Sequence, residues 1–215
     1  QPFPMWRGVK VSKDSVLSFE KARDGARSYL AVSGGIDVPL VMGSRSTYLN
    51  GEIGGMEGRR LNAGDVLRAL PLEAGTEFVG HRLPEHLASP FYGLQHEIRV
   101  VLGPQDGEFT SQGIATFLDS MYTISIDSDR IGLRLEGPAI EHCSEPDIVS
   151  DGTPLGAVQV PGDGKPIILL ADRGTTGGYA KIATVISTDI SKVAQATPGD
   201  SLSFAAVTVE EAHTI

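Results

Sequence analysis

The densest run of residues able to do chemistry lies at positions 150–179. Two polar, glycine-rich loops there flank the apolar stretch Ile167, Ile168, Leu169 and Leu170. Glycine lets backbone N–H groups come close to an anion. Asp172, Arg173, Thr175 and Thr176 follow that stretch and form the candidate catalytic group, with Gly177, Gly178 and Tyr179 beside them as anion- or substrate-binding positions. Arg173 has the planar two-pronged head that grips a carboxylate. The two threonines and the adjacent glycine amides suit negative charge developing on a reacting carbonyl. Gln159 and Lys165 supply further donors upstream. Asp163-Gly164 between two apolar runs is also a hairpin signal, so residues 152–164 read as turn geometry as well as binding loop. A second constellation, Arg45, Ser46 and Thr47, suits an anion or forms a surface loop with a solvated arginine.

Several chemistries have no residues to carry them. There is no Gly-x4-Gly-Lys-Ser/Thr cradle for ATP, no His-Glu-x-x-His, no Cys-x-x-Cys and no Gly-x-Ser-x-Gly elbow. His81, His86 and His96 are spaced unlike a helical metal pair, and His142 and His213 stand alone, so no metal site is expected. Cys143 is the one cysteine. Its acidic neighbours Glu141 and Glu145 disfavour a thiolate, and a lone cysteine fits a reducing, cytoplasmic compartment. A net charge of −9 excludes a phosphate-binding nucleic-acid surface. No apolar run reaches the about 20 residues of a membrane span.

The elements that must position these residues are short strands. Apolar runs broken by Gly, Asp and Pro fall at residues 9–11, 16–19, 29–32, 98–102, 122–126, 131–135, 157–160, 167–171, 183–186 and 202–207. Helical spacing is confined to 110–120, 189–195 and a single turn at 83–87. An internal echo adds a constraint. A buried strand runs into a glycine loop at 29–36 and again at 168–179. A Gly-Asp turn follows each about 30 residues on, at Gly64-Asp65 and Gly199-Asp200. Two related β-rich lobes account for it, with a join near 89–93, although Gly-Asp before a strand is also common turn chemistry.

The run Ser150-Asp-Gly-Thr-Pro-Leu-Gly-Ala-Val-Gln-Val-Pro-Gly-Asp-Gly-Lys-Pro, continuing to Ala171-Asp-Arg-Gly-Thr-Thr-Gly-Gly-Tyr179, resembles the signature of the allophanate hydrolase subunit 2 family, which includes a subunit of the prokaryotic 5-oxoprolinase. Tyr29-Leu-Ala-Val-Ser-Gly-Gly-Ile-Asp37, Gly43-Ser-Arg-Ser-Thr47, Arg130-Ile-Gly-Leu-Arg-Leu-Glu-Gly137 and Thr197-Pro-Gly-Asp200 are similar to its other blocks. The resemblance implies a mainly β fold of two cyclophilin-like β-barrel lobes with a few short helices. Residues 1–90 would form the first lobe, lacking its N-terminal part, and 91–215 the second. It implies a member of an ATP-dependent 5-oxoprolinase-type complex that hydrolyses 5-oxoproline to glutamate. The partners would be a sister β-barrel subunit of the KipI-like, allophanate hydrolase subunit 1 type and a separate barrel-type subunit. The alternatives within the resemblance are the carboxyltransferase component of a biotin-dependent urea carboxylase, with the biotin carrier elsewhere, and a non-enzymatic regulator of the sister subunit.

Overall fold

The computed structural model describes residues 5–22, 25–72, 78–84 and 95–215. The chain divides into two compact units: Gln1–Glu20 with Ser28–Pro90, and Lys21–Arg27 with Phe91–Ile215. The join expected near 89–93, and most of the turn expected at 83–87, lie outside the described residues.

The second unit is a closed seven-stranded barrel. Its strands are β1 (Gln95–Leu102), β2 (Tyr122–Ile124), β3 (Gly132–Glu136), β5 (Ala157–Gln159), β6 (Ile167–Leu169), β8 (Lys181–Val185) and β9 (Ser201–Ala206). Around the barrel the order is β1-β8-β5-β6-β3-β2-β9. All pairings are antiparallel except β1 with β9, which runs parallel from Gln95↔Ser201 to Val100↔Ala206 and closes the ring. Strands β4 (Asp147–Gly152) and β7 (Thr176–Tyr179) form a separate two-stranded ribbon.

In β1, β3 and β9 alternation of apolar and polar residues puts one face inside, whereas β5 and β8 are buried at successive positions. Ile98 and Val100 from β1, Leu133 and Leu135 from β3, and Leu202 and Phe204 from β9 are buried there. Helix α1 (Ser111–Asp119) covers one side of this core. Thr110 caps it by accepting from Gly113 N, as its residue type predicts, and Phe117 stacks on Phe204 with ring centroids 4.3 Å apart. Helix α2 (Ile190–Gln195) brings in buried Val193, and α3 (Val209–Thr214) starts on a capping box between Thr208 and Glu211.

The first unit is different. The strands expected at 9–11, 16–19 and 29–32 are not in ladders; the described residues there make isolated bridges such as Arg7↔Arg82, Ile36↔Ala69 and Tyr48↔Ile53. A strand is stabilised by its neighbours, and none is paired to these segments among the described residues. Their apolar side chains are accordingly uncovered: Val16 is 91% exposed and Tyr29 85%.

Candidate functional site

The signature run folds into the β5–β6 hairpin and the β4–β7 ribbon laid against it. The turn expected at Asp163-Gly164 is present: Gly164 has a φ of +74° and its N–H donates to Pro161 O at 2.9 Å. In the ribbon Asp151 pairs with Gly177 and Gly152 with Thr176, and a register shift separates them from the Asp147–Tyr179 pair.

A two-stranded ribbon is marginal alone, and side chains of the signature fasten this one to the barrel. Thr153, buried, donates its hydroxyl to Gly174 O and its amide to Thr175 O. Gln159, also buried, donates Nε2 to Tyr179 O at 3.2 Å. Gly177 is glycine because of these neighbours. A Cβ there would stand 2.7 Å from Gln159 Nε2 and 3.1 Å from Thr153 Cγ2.

Arg173 makes two internal hydrogen bonds. Its Nε donates to Thr153 O at 2.7 Å and its Nη1 to Leu170 O at 3.2 Å. Two of the guanidinium's donors thus meet backbone carbonyls, one ahead of β5 and one at the end of β6. Asp172 is likewise engaged, accepting from Arg130 Nε at 2.7 Å and Nη2 at 2.9 Å. Thr175 and Thr176 are exposed at the start of β7, Gly178 is half-buried, and Tyr179 is exposed at its end. Lys165 pairs with Glu136 on β3. In the first unit, Arg45 Nη1 donates to Val38 O and Ser46 N donates to Ser44 Oγ at 3.1 Å. Thr47 packs on Gly55, where a Cβ would lie 1.9 Å from Thr47 Oγ1. Arg45 and Thr47 thus both contribute to the internal structure of their loop.

One polar cluster lies outside the residues that the sequence singles out. Lys181, at the start of β8, is completely buried, and its ammonium reaches Asp151 Oδ2 at 3.2 Å. Gln105 donates Nε2 to the same oxygen at 3.1 Å and accepts from Lys181 N at 3.2 Å. Gly152 N donates to Asp151 Oδ1 at 2.7 Å. That amide, Lys181 and Gln105 together hold the Asp151 carboxyl below the usual carboxylate range. The signal in the sequence is Lys181 itself, a single cation inside the apolar strand run 180–186, where an unpaired charge is costly. Among the described residues no group of three His, Cys, Asp or Glu side chains is placed to hold a metal. Among them also, no helix is long and apolar enough to cross a membrane.

The site is therefore a ribbon bearing the exposed Thr175 and Thr176 hydroxyls and two glycines, with the buried Lys181 ammonium paired to its Asp151. Such an arrangement can bind and polarise a carbonyl or carboxyl group. The chain is 39% identical over 207 residues to a 5-oxoprolinase subunit of Escherichia coli, covering 96% of this chain and 64% of that protein. It is 35% identical to the same 5-oxoprolinase subunit of Haemophilus influenzae over 210 residues, covering 98% of this chain and 65% of that one. The chain thus spans somewhat under two thirds of the length of these relatives. Among solved structures, the urea carboxylase of Kluyveromyces lactis superposes with a TM-score of 0.83 at 31% identity, over 90% of this chain and 19% of that one. Residues 1–206 match the model of the carboxyltransferase domain, subdomains A and B, and the chain belongs to that family.

Proposed function

We propose that this chain is a subunit of a cytoplasmic, ATP-dependent 5-oxoprolinase-type complex, which hydrolyses the amide C–N bond of 5-oxoproline to give glutamate. The observation that carries this reading is the 39% and 35% identity to two 5-oxoprolinase subunits, over nearly the whole chain. In this reading residues 1–90 and 91–215 belong to its two lobes. The rest of the complex is a sister β-barrel subunit and a separate barrel-type subunit. In this reading ATP is used by the complex; this chain itself carries no phosphate cradle of the usual kind. Thr175, Thr176 and the amides of Gly177 and Gly178 stabilise the charge that develops on the lactam carbonyl. Asp172 and Arg173 are positioning residues: they hold the loop from which these donors project.

The test is reconstitution with the two partner subunits, followed by ADP and glutamate formation from ATP and 5-oxoproline. Turnover that needs this chain supports the reading. Tight assembly without turnover rejects it in favour of a regulator of the sister subunit. A second reading, the carboxyltransferase component of a biotin-dependent urea carboxylase, is favoured by the superposition on the Kluyveromyces lactis urea carboxylase. It calls for urea-dependent consumption of carboxybiotin from a separate carrier, measured in the same preparation.

A further inference from the structure

We propose that Lys181 and Gln105 form a carboxylate-binding subsite, which the protein's own Asp151 occupies when no ligand is present. The inference rests on placing the reaction at the ribbon, but not on which reaction it is. An ammonium has three N–H donors. Among the described residues Lys181 uses one, on Asp151, although its side chain is completely buried. A buried cation with donors to spare calls for a further acceptor. Gln105 adds a second donor at the same point, because Nε2 reaches the oxygen that Lys181 reaches.

These two donors belong to the barrel and its adjoining loop, whereas Asp151 belongs to the ribbon. The carboxylate between them is half outside: the Asp151 side chain is 54% exposed while that of Lys181 is 0%. Asp151 thus plugs the route to the ammonium. Beside it Gly152 has no atom within 4 Å of where a Cβ would sit, and its φ lies outside the left-handed region. Neither crowding nor backbone conformation within the chain requires glycine there. A strand glycine marks a bulge, a tight bend or a place where a ligand or another backbone comes close, and the register shift in this strand ends at the neighbouring Asp151. Exchange of Asp151 for a ligand carboxylate conserves the charge balance around Lys181 and needs only the ribbon to shift.

The experiment is calorimetric titration of the chain with 5-oxoproline and, separately, with its uncharged amide, 5-oxoprolinamide. It is run on the unaltered protein and on Asp151→Ala and Lys181→Met. Removing the internal competitor is expected to tighten 5-oxoproline binding about tenfold or more and to leave the amide unchanged. Lys181→Met is expected to abolish the preference for the carboxylate. Unchanged or weaker 5-oxoproline binding by folded Asp151→Ala overturns the proposal, and that arm decides even if Lys181→Met does not fold. A parallel titration with propionate separates the two readings. Tighter propionate binding by Asp151→Ala, without 5-oxoproline turnover in the reconstituted complex, keeps the subsite and rejects the assigned reaction.

Discussion

Arg173 and Thr153 are joined by a 2.7 Å hydrogen bond from Nε to the carbonyl, and the same guanidinium reaches Leu170 O through Nη1. One side chain therefore staples the end of β6 to the start of the β5 approach, where the ribbon leaves the barrel. Arg173→Ala is expected to cost about 1–3 kcal/mol, the range for charge-assisted hydrogen bonds, and to raise protease cleavage within 150–154 and 172–176. Arg173→Lys is not expected to restore either property, because an ammonium cannot present two donors in a fixed fork. Thermal melts and limited proteolysis check this. An unchanged melt and cleavage pattern with lost substrate binding would return Arg173 to a direct ligand role.

Asp189 is buried, and its two oxygens accept from Arg99 Nη2 at 2.6 Å, Arg99 Nε at 2.9 Å and Arg99 N at 2.9 Å, with Lys192 Nζ at 3.0 Å. Burial alone would push its carboxyl upward. The guanidinium, the amide and the ammonium outweigh that and hold it at about 2. The folded value is below the unfolded one, so the stabilisation is complete above about pH 4 and is lost as pH falls toward 2. It amounts to about 2 kcal/mol. Asp189→Asn is expected to lose roughly that much at pH 7. The gap between the two proteins should then close between pH 4 and 2 in urea titrations; a gap independent of pH would show that the carboxylate charge contributes nothing.

Gly113 sits in the first turn of α1 with its Cα against the Glu141 backbone. A Cβ would stand 2.3 Å from Glu141 O and 3.1 Å from Glu141 N. Alanine normally stabilises a helix by about 1 kcal/mol over glycine. Here the overlap is with backbone already bonded to Thr110, whose N–H donates to Glu141 O at 3.1 Å. Gly113→Ala is therefore expected to destabilise by about 1–3 kcal/mol. Gly107→Ala is the control, since nothing lies within 4 Å of its Cβ position. Equal melts for the two variants would show that α1 can lift away at no cost.

The barrel was legible because its strands alternate or run apolar between turn residues. The runs at 98–102, 131–135, 167–171 and 202–207 all became barrel strands, within a few residues of their limits. The cap of α1 was readable only as Thr110 or Ser111, two adjacent hydroxyls before a helical pattern, and it is Thr110 that accepts from Gly113 N. The ribbon was not legible. Ser150, Asp151, Gly152 and Thr176, Gly177, Gly178 have the composition of loops, and they pair because Thr153, Gln159 and Arg173 fix both strands from outside. The internal partners of Arg173 and Lys165 were hidden for the same reason. Residue type shows that an arginine can grip a carboxylate, but only tertiary placement shows that two carbonyls reach it first. Lys181 and Asp151, 30 positions apart, meet only once β8 is buried beneath the ribbon. The first unit is the reverse case: Val9, Val11, Leu17 and Phe19 have strand spacing, yet no ladder pairs with them among the described residues.

The packing of Gln159 against Gly177 tests whether the ribbon is held as a unit. A methyl on Gly177 would lie 2.7 Å from Gln159 Nε2, the atom that donates to Tyr179 O. Gly177→Ala must push that amide away or lift β7, and either breaks the bond. Gln159→Ala breaks it directly and opens the space. If the contact is the cause, each single change costs about 1–2 kcal/mol, while the double variant costs less than the sum by about 0.5 kcal/mol or more. Amide exchange at residues 177–180, measured alongside urea melts, localises the effect. Strictly additive melts, with exchange unaltered in β7, would mean that Gln159 does not hold the ribbon and that Thr153 and Arg173 suffice.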